Sequence, residues 1–305
     1  MGAGWVAGVT RARAMTATCA GPRRAHRVAA AADRDEAWHV LAGTAYRRDP
    51  VERDEGPRTV ADVLVWQLRV LAGWQPRAGA AALRLLASGF EIANTRSHLR
   101  ALSGVPQPPP YRLGALSTAW TRLARTASPA EVRAVLASSV WGDPGGEAPA
   151  SVVAAMRLSA AARTAAGVPH AARWTTGGAA LLVARETFLA GRRPEGQAAR
   201  QATVLLGRGA LSAVSYGDYR ARLPADARWA LGGSDRPEDL WRAEARWWRE
   251  VEQDGQRLLR GTSPGPAPVV GAAAVLATDA RRVRAALECA AYGGRAVEAF
   301  DELLG

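Results

Sequence analysis

The chain has no lysine. All 40 of its basic residues are arginine, and against 28 acids they leave a formal net charge of +12. With so much alanine and glycine, this preference reads as the codon bias of a GC-rich genome and not as selection for guanidinium chemistry. The excess charge still calls for a partner, and nucleic acid, anionic lipid headgroups and an acidic protein surface are the three candidates. Cysteine is nearly absent. Cys19 and Cys289 stand far apart and outside any metal spacing, which argues against a disulfide framework and fits a reducing cytoplasm. The four histidines, His26, His39, His98 and His170, have no second histidine or cysteine at ligand spacing, so no metal site is expected. Phenylalanine, tyrosine and isoleucine are scarce and no strand alternation runs anywhere, which disfavours sheet.

Long hydrophobic runs are missing too. The longest, Pro268 to Thr278, ends at Asp279, short of the roughly 18 residues a membrane helix needs. The N-terminal stretch lacks a charged leader followed by an apolar core, so no signal peptide is expected. Gly207-Arg-Gly209 and Gly142–Gly146 lack the setting and the Lys-Ser/Thr of a phosphate loop, and no Gly-x-Ser-x-Gly elbow occurs. These absences predict a non-catalytic protein with no cofactor.

What is present is helical. Leu85, Ile92 and Leu99 recur at heptad spacing, widened by Leu86, Phe90, Ala93 and Leu102, and predict one long helix over 81–104. Gly104 can close it in the left-handed conformation, and Pro106 prevents continuation. A helix over Trp5–Cys19 is expected to stop at Gly21-Pro22. Others are expected over 33–45 with Asp33 as N-cap, 60–71, 113–125, 129–137 behind Ser128-Pro129, 151–166, and from 234 to about Arg260. Asp49–Pro57 reads as a polar loop, and Val105–Pro110 as a stiff linker. On the helix that ends near Arg260, Trp241 and Trp248 share a face and read as core. Glu244 and Glu250 dilute the arginines around them, which weighs against a nucleic-acid interface.

An internal recurrence organises the chain. Glu91-Ile-Ala-Asn94-Thr-Arg96 returns as Asp279-Ala-Arg-Arg282-Val-Arg284, each after a run of small and apolar residues, with a worn copy around Glu186. The acids stand at intervals of about 95 residues, which suits a helical module used three times, over approximately 1–105, 106–195 and 196–305. Acid and arginine five apart lie about 140° from each other round a helix. The acids are therefore expected to meet basic residues of neighbouring helices, with Glu91, Asn94, Arg96, Glu186, Asp279 and Arg284 as the inter-module or interface candidates.

Taken with the order of elements, these residues resemble the C-type central-stalk proteins of the bacterial and archaeal V/A-type ATPases, relatives of the eukaryotic d-type ones. Arg11 and Arg13 on the first helix resemble the family's Ala-Arg-Val-Arg character. Trp38-His-Val-Leu41-Ala-Gly-Thr44-Ala-Tyr46 is similar to the close of its second helix. Glu91, Asn94 and Arg96 match its first repeat motif, and Asp279, Val283 and Arg284 its last. The middle copy retains only Glu186, and the last copy's lead-in lacks the family's Tyr and Lys, which marks a divergent member. The resemblance spans about Trp5 to Gly294. It implies an all-α chain of three related modules arranged as a funnel-like bundle. It also implies a non-catalytic central-stalk adaptor, cytoplasmic and peripheral on the inner face of the membrane. The implied partners are shaft subunits, membrane rotor ring subunits and anionic lipid headgroups, with no nucleic acid. The rival reading is a basic helical nucleic-acid-binding regulator.

Overall fold

Proline, glycine and small polar residues decide where the helices begin and end. The computed structural model describes residues 2–47, 56–293 and 297–304, and among them every regular element is helical and no strand occurs. The chain is all-α. In order come α1 (Ala3–Thr16), α2 (Gly21–Ala29), α3 (Arg34–Val40), α4 (Gly56–Gly73), α5 (Arg77–Leu86) and α6 (Ser88–Leu102). After an extended proline-rich stretch follow α7 (Trp120–Leu123), α8 (Pro129–Ala137), α9 (Pro149–Gly167), α10 (Ala172–Ala184), α11 (Gly196–Leu211), α12 (Tyr216–Arg222) and α13 (Ala225–Arg228). Then come α14 (Leu240–Arg260), α15 (Pro266–Ala290) and α16 (Val297–Leu304). No helix among the described residues is long and apolar enough to cross a membrane.

The local signals act as expected at several ends. Asp33 accepts from the Glu36 amide at 2.8 Å and Ser128 from the Glu131 amide at 3.2 Å, each capping the helix that follows. Gly104 sits at φ +80°, with its amide on the Ala101 carbonyl and the Val105 amide on Arg100, the paired bonds of a glycine-closed helix C-terminus.

Elsewhere the structure differs. The helix expected over 81–104 is two helices, because the chain turns at Ala87, just before Ser88-Gly89, a pair of weak helix formers. The helix expected over Trp5–Cys19 ends already at Thr16, so Gly21-Pro22 does not close it; the pair starts α2, with glycine at φ +69° and proline in the first turn, where its missing N–H costs nothing. The 113–125 stretch holds only a 3₁₀ turn and the four-residue α7, with Ser117 extended between them. The loop expected at Asp49–Pro57 lies largely outside the described residues.

The chain divides into two compact units, Met1–Ala80 with Trp248–Gly305, and Ala81–Trp247. Those limits fall inside α5 and α14. In the first unit the long α15 packs against α1, α2, α3, α4 and α16. Its small residues, Gly271 to Ala274, allow helices to approach closely, and below them Val283, Ala286 and Leu287 join Val28, Leu41, Tyr46 and Phe300 in one core. In the second unit α9 has the corresponding place, packed on α6, α10 and α11. Its residues divide between a core with Ile92, Leu99, Leu123 and Trp141 and another with Leu206, Tyr219 and Leu231.

Along α14 the buried positions are Leu240, Ala243, Ala245, Val251 and Gly255, while Trp241 is 40% exposed and Trp248 is half-buried under Arg281. Trp247 takes the packed role instead. Its indole lies over Gly178, where an added Cβ would come within 3.3 Å, and it donates to the Trp174 carbonyl at 2.8 Å. The expectation that Trp241 and Trp248 form core is thus corrected. Leu240, Ala243, Ala245, Val251 and Gly255 already supply the buried positions of this helix, so Trp241 and Trp248 need not.

Candidate functional site

Glu91 lies in the first turn of α6 and is 2% exposed. Its carboxylate accepts the Thr118 amide at 2.6 Å, the Ala119 amide at 2.7 Å and the Trp141 indole N–H at 2.9 Å. Ala119 is the N-cap of α7, and a residue 28 positions upstream accepts its amide, the role that the acid of a capping box plays from within its own helix. Asp279, also 2% exposed, does the same for α2. It accepts the Ala20 amide at 3.0 Å and the Gly21 amide at 2.8 Å, where the N-cap is again alanine. Both acids meet backbone amides and not the arginines that were expected. An anion at a helix start is favoured by the free N–H groups and the helix dipole together, and needs no counter-cation.

The third position after each acid is also buried. Asn94 both donates to the Tyr111 carbonyl at 3.0 Å and accepts from the Tyr111 amide at 2.7 Å, pinning the proline-rich stretch to α6. Its counterpart Arg282, 6% exposed, pairs with both carboxylate oxygens of Glu252 on α14, at 3.1 and 2.5 Å. The fifth position points away in both copies. Arg96 is exposed, and Arg284 reaches only Glu288 one turn on, at 3.1 Å. Helical geometry explains this division: three residues on is about 60° away from the acid, five residues about 140°.

Glu186 sits in a widened π-helical turn, Arg185–Leu189, after α10. Its carboxylate pairs with Arg192 at 2.7 Å and anchors no second helix start. The neighbouring cleft, about 340 Å³, is lined by Ser151, Leu158, Glu186, Arg192, Arg193 and Glu195. Arg193 donates to the Leu211 and Ala213 carbonyls, so this guanidinium group serves the fold. Among the described residues no three His, Cys, Asp or Glu side chains converge as a metal site would require.

Around Asp279 the interior is more polar than the sequence suggested. Tyr46 is 1% exposed; its hydroxyl is near enough to feel the Asp279 charge but makes no hydrogen bond of normal geometry. Burial, and after it the Asp279 carboxylate, pushes the Cys19 thiol and the Tyr46 phenol well above their ordinary values. The folded state therefore holds these protons more tightly than the unfolded chain. Their contribution to stability is complete below the ordinary thiol value of 9.0 and declines as pH rises beyond it. The double variant Cys19→Ala, Tyr46→Phe should lose distinctly less stability than the parent between pH 8 and pH 10.5, measured by urea unfolding (pH limits of roughly that range). Parallel pH profiles would contradict the burial of the two groups.

Arg163 stacks 5.2 Å over the Trp141 ring, and burial lowers its pKa while the Glu91 charge opposes that shift. Trp141, Tyr111, Glu252 and Arg282 were not singled out from the sequence. Only Arg282 carried a signal, as the residue aligned with Asn94. Neither a scan against protein-family models nor a search of curated proteins finds a match to this chain.

Proposed function

We propose that the chain is the central-stalk adaptor of a rotary V/A-type ATPase, a divergent C-type stalk protein. It would link the shaft of the ATP-hydrolysing sector to the membrane rotor ring and transmit torque for ion transport. The observation that carries the reading is the recurrence of one device in two places alike in sequence. In each a buried acid early in the motif seats on the amides that start another helix, the third residue anchors a neighbour, and the arginine faces out. A repeat preserved in sequence and in three-dimensional role supports descent from a duplicated helical module. The funnel-like arrangement of three modules belongs to the same proposal.

The mechanism asks little chemistry of the protein. An adaptor must not deform under torque, and helix starts tied down by charged, buried hydrogen bonds resist shear better than apolar contacts alone, because their geometry is directional. The charge of +12 suits an acidic shaft end and anionic headgroups at the cytoplasmic face. No cofactor takes part in this reading, and the protein alone should hydrolyse no nucleotide.

Capture of the tagged protein from its native membranes provides the test. The expected result is co-purification with ATPase catalytic, shaft and ring subunits, and ATP hydrolysis uncoupled from ion pumping in cells that lack the protein. Salt-sensitive recovery of DNA with no ATPase subunit would overturn the proposal in favour of a nucleic-acid regulator.

A further inference from the structure

Several surface arginines are neutralised by an acid beside them, as in Arg133–Asp143, Arg185–Glu244 and Arg222–Asp218. One strip of the first unit instead sets uncompensated arginines beside exposed indoles. On α4 the inner face, Val60, Val65, Leu68 and Leu71, packs towards α15 and α1. The outer face carries Trp66, Arg69 and Gly73 at spacings of three and four; Trp74 follows in the turn, and Arg77 is the first residue of α5. Trp66 is 53% and Trp74 52% exposed, more than any other tryptophan among the described residues. Arg69 and Arg77 are exposed and have no acidic partner among the described residues. Arg11 of α1 lies 5.9 Å over the Trp74 ring, and its Nε is buried without a partner. Asp62, one turn before Trp66, is held by Arg58 at 3.6 Å.

We propose that this Trp66–Arg69–Trp74–Arg77 strip is a docking surface for an anionic lipid membrane. Indoles prefer the boundary where an apolar body and a polar N–H are both satisfied, and arginines beside them would meet lipid phosphates. The two indoles stand eight positions apart, Trp66 on α4 and Trp74 in the turn after it. A single-strand binder lines a groove with successive stacking aromatics that track the backbone, whereas these two indoles lie on separate elements with arginines beside them. A headgroup layer accepts both at any spacing. The strip lies on, and does not enter, the bilayer: the helix keeps its apolar face in the protein core. The inference deepens the adaptor reading and rests on it for bringing the protein to a membrane.

The test uses the full chain and sedimentation with vesicles of phosphatidylcholine alone or mixed with phosphatidylserine. Binding should require phosphatidylserine and weaken with salt. Arg69→Gln with Arg77→Gln should lower the partition coefficient roughly thirtyfold, from the expected loss per juxtamembrane arginine. Trp66→Ala with Trp74→Ala should lower it at least about tenfold. All four side chains are exposed, and thermal melts of both variants should match the parent. Absence of parent binding to phosphatidylserine vesicles, or undiminished binding by both variants, overturns the inference. So does tighter binding to a single-stranded oligothymidylate that the same substitutions abolish. Failure here leaves capture of the ATPase subunits unaffected, so the two readings fail separately.

Discussion

Glu91→Ala is expected to destabilise the unit spanning Ala81–Trp247 by about 3–5 kcal/mol, the cost of leaving buried polar partners without their charge. Three donors lose their acceptor at once: the Thr118 and Ala119 amides and the Trp141 indole. Water cannot replace it easily, because Trp141 is 3% exposed and Ala119 equally so. Glu91→Gln keeps one acceptor oxygen but turns an N–H₂ group towards a donor, and should cost roughly half as much. Asp279→Ala should act alike on the other unit through the Ala20 and Gly21 amides. Arg96→Ala and Arg284→Ala, which change only exposed groups, should stay within about 0.5 kcal/mol. Amide exchange locates the effect: protection should fall at Thr118–Leu123 for the first variant and at Ala20–Ala29 for the second. Unchanged exchange there would mean that the carboxylates do not hold these helix starts.

Gly271→Ala should cost about 3 kcal/mol, although alanine is the better helix former by about 1 kcal/mol. An added Cβ would stand 2.5 Å from the Gly255 carbonyl oxygen, 2.7 Å from the Leu259 amide nitrogen and 2.9 Å from the Leu258 Cβ. Two of these are backbone atoms of α14, so no rotamer change relieves the clash and the helices must part. Gly217→Ala provides the contrast. Nothing lies within 4 Å of its Cβ position on α12, and the substitution should stabilise by about 0.5 kcal/mol. Denaturant midpoints of the two variants should move in opposite directions. A Gly271→Ala midpoint at or above the parent's would show that α14 and α15 are not in backbone contact.

The repeat shows how far local geometry reaches. The 140° between acid and arginine correctly implied that they do not pair within a helix, and the arginines do face out. It did not reveal the acids' actual partners. Asp279 bonds to Gly21, 258 residues earlier, at a Gly-Pro pair that local rules read as a stop; the same pair starts α2. A capping serine such as Ser128 declares itself beside the helix it caps. A cap delivered from another helix leaves alanine at the N-cap and no trace nearby.

The sequence by itself determined the all-α class, the absence of a membrane-crossing helix among the described residues, and the ends at Asp33, Gly104 and Ser128, because propensity, hydrophobic length and capping depend on residues close together in the chain. Tertiary structure alone decided which of Trp241, Trp247 and Trp248 is packed, that Gly255 and Gly271 are an approach of two backbones, and that the chain's two ends share one compact unit. It also decided that Glu91 and Asp279 seat on helix starts while Glu186 pairs with Arg192. Each of those facts depends on which surfaces meet, and residues tens to hundreds of positions apart share no periodicity from which that meeting could be read.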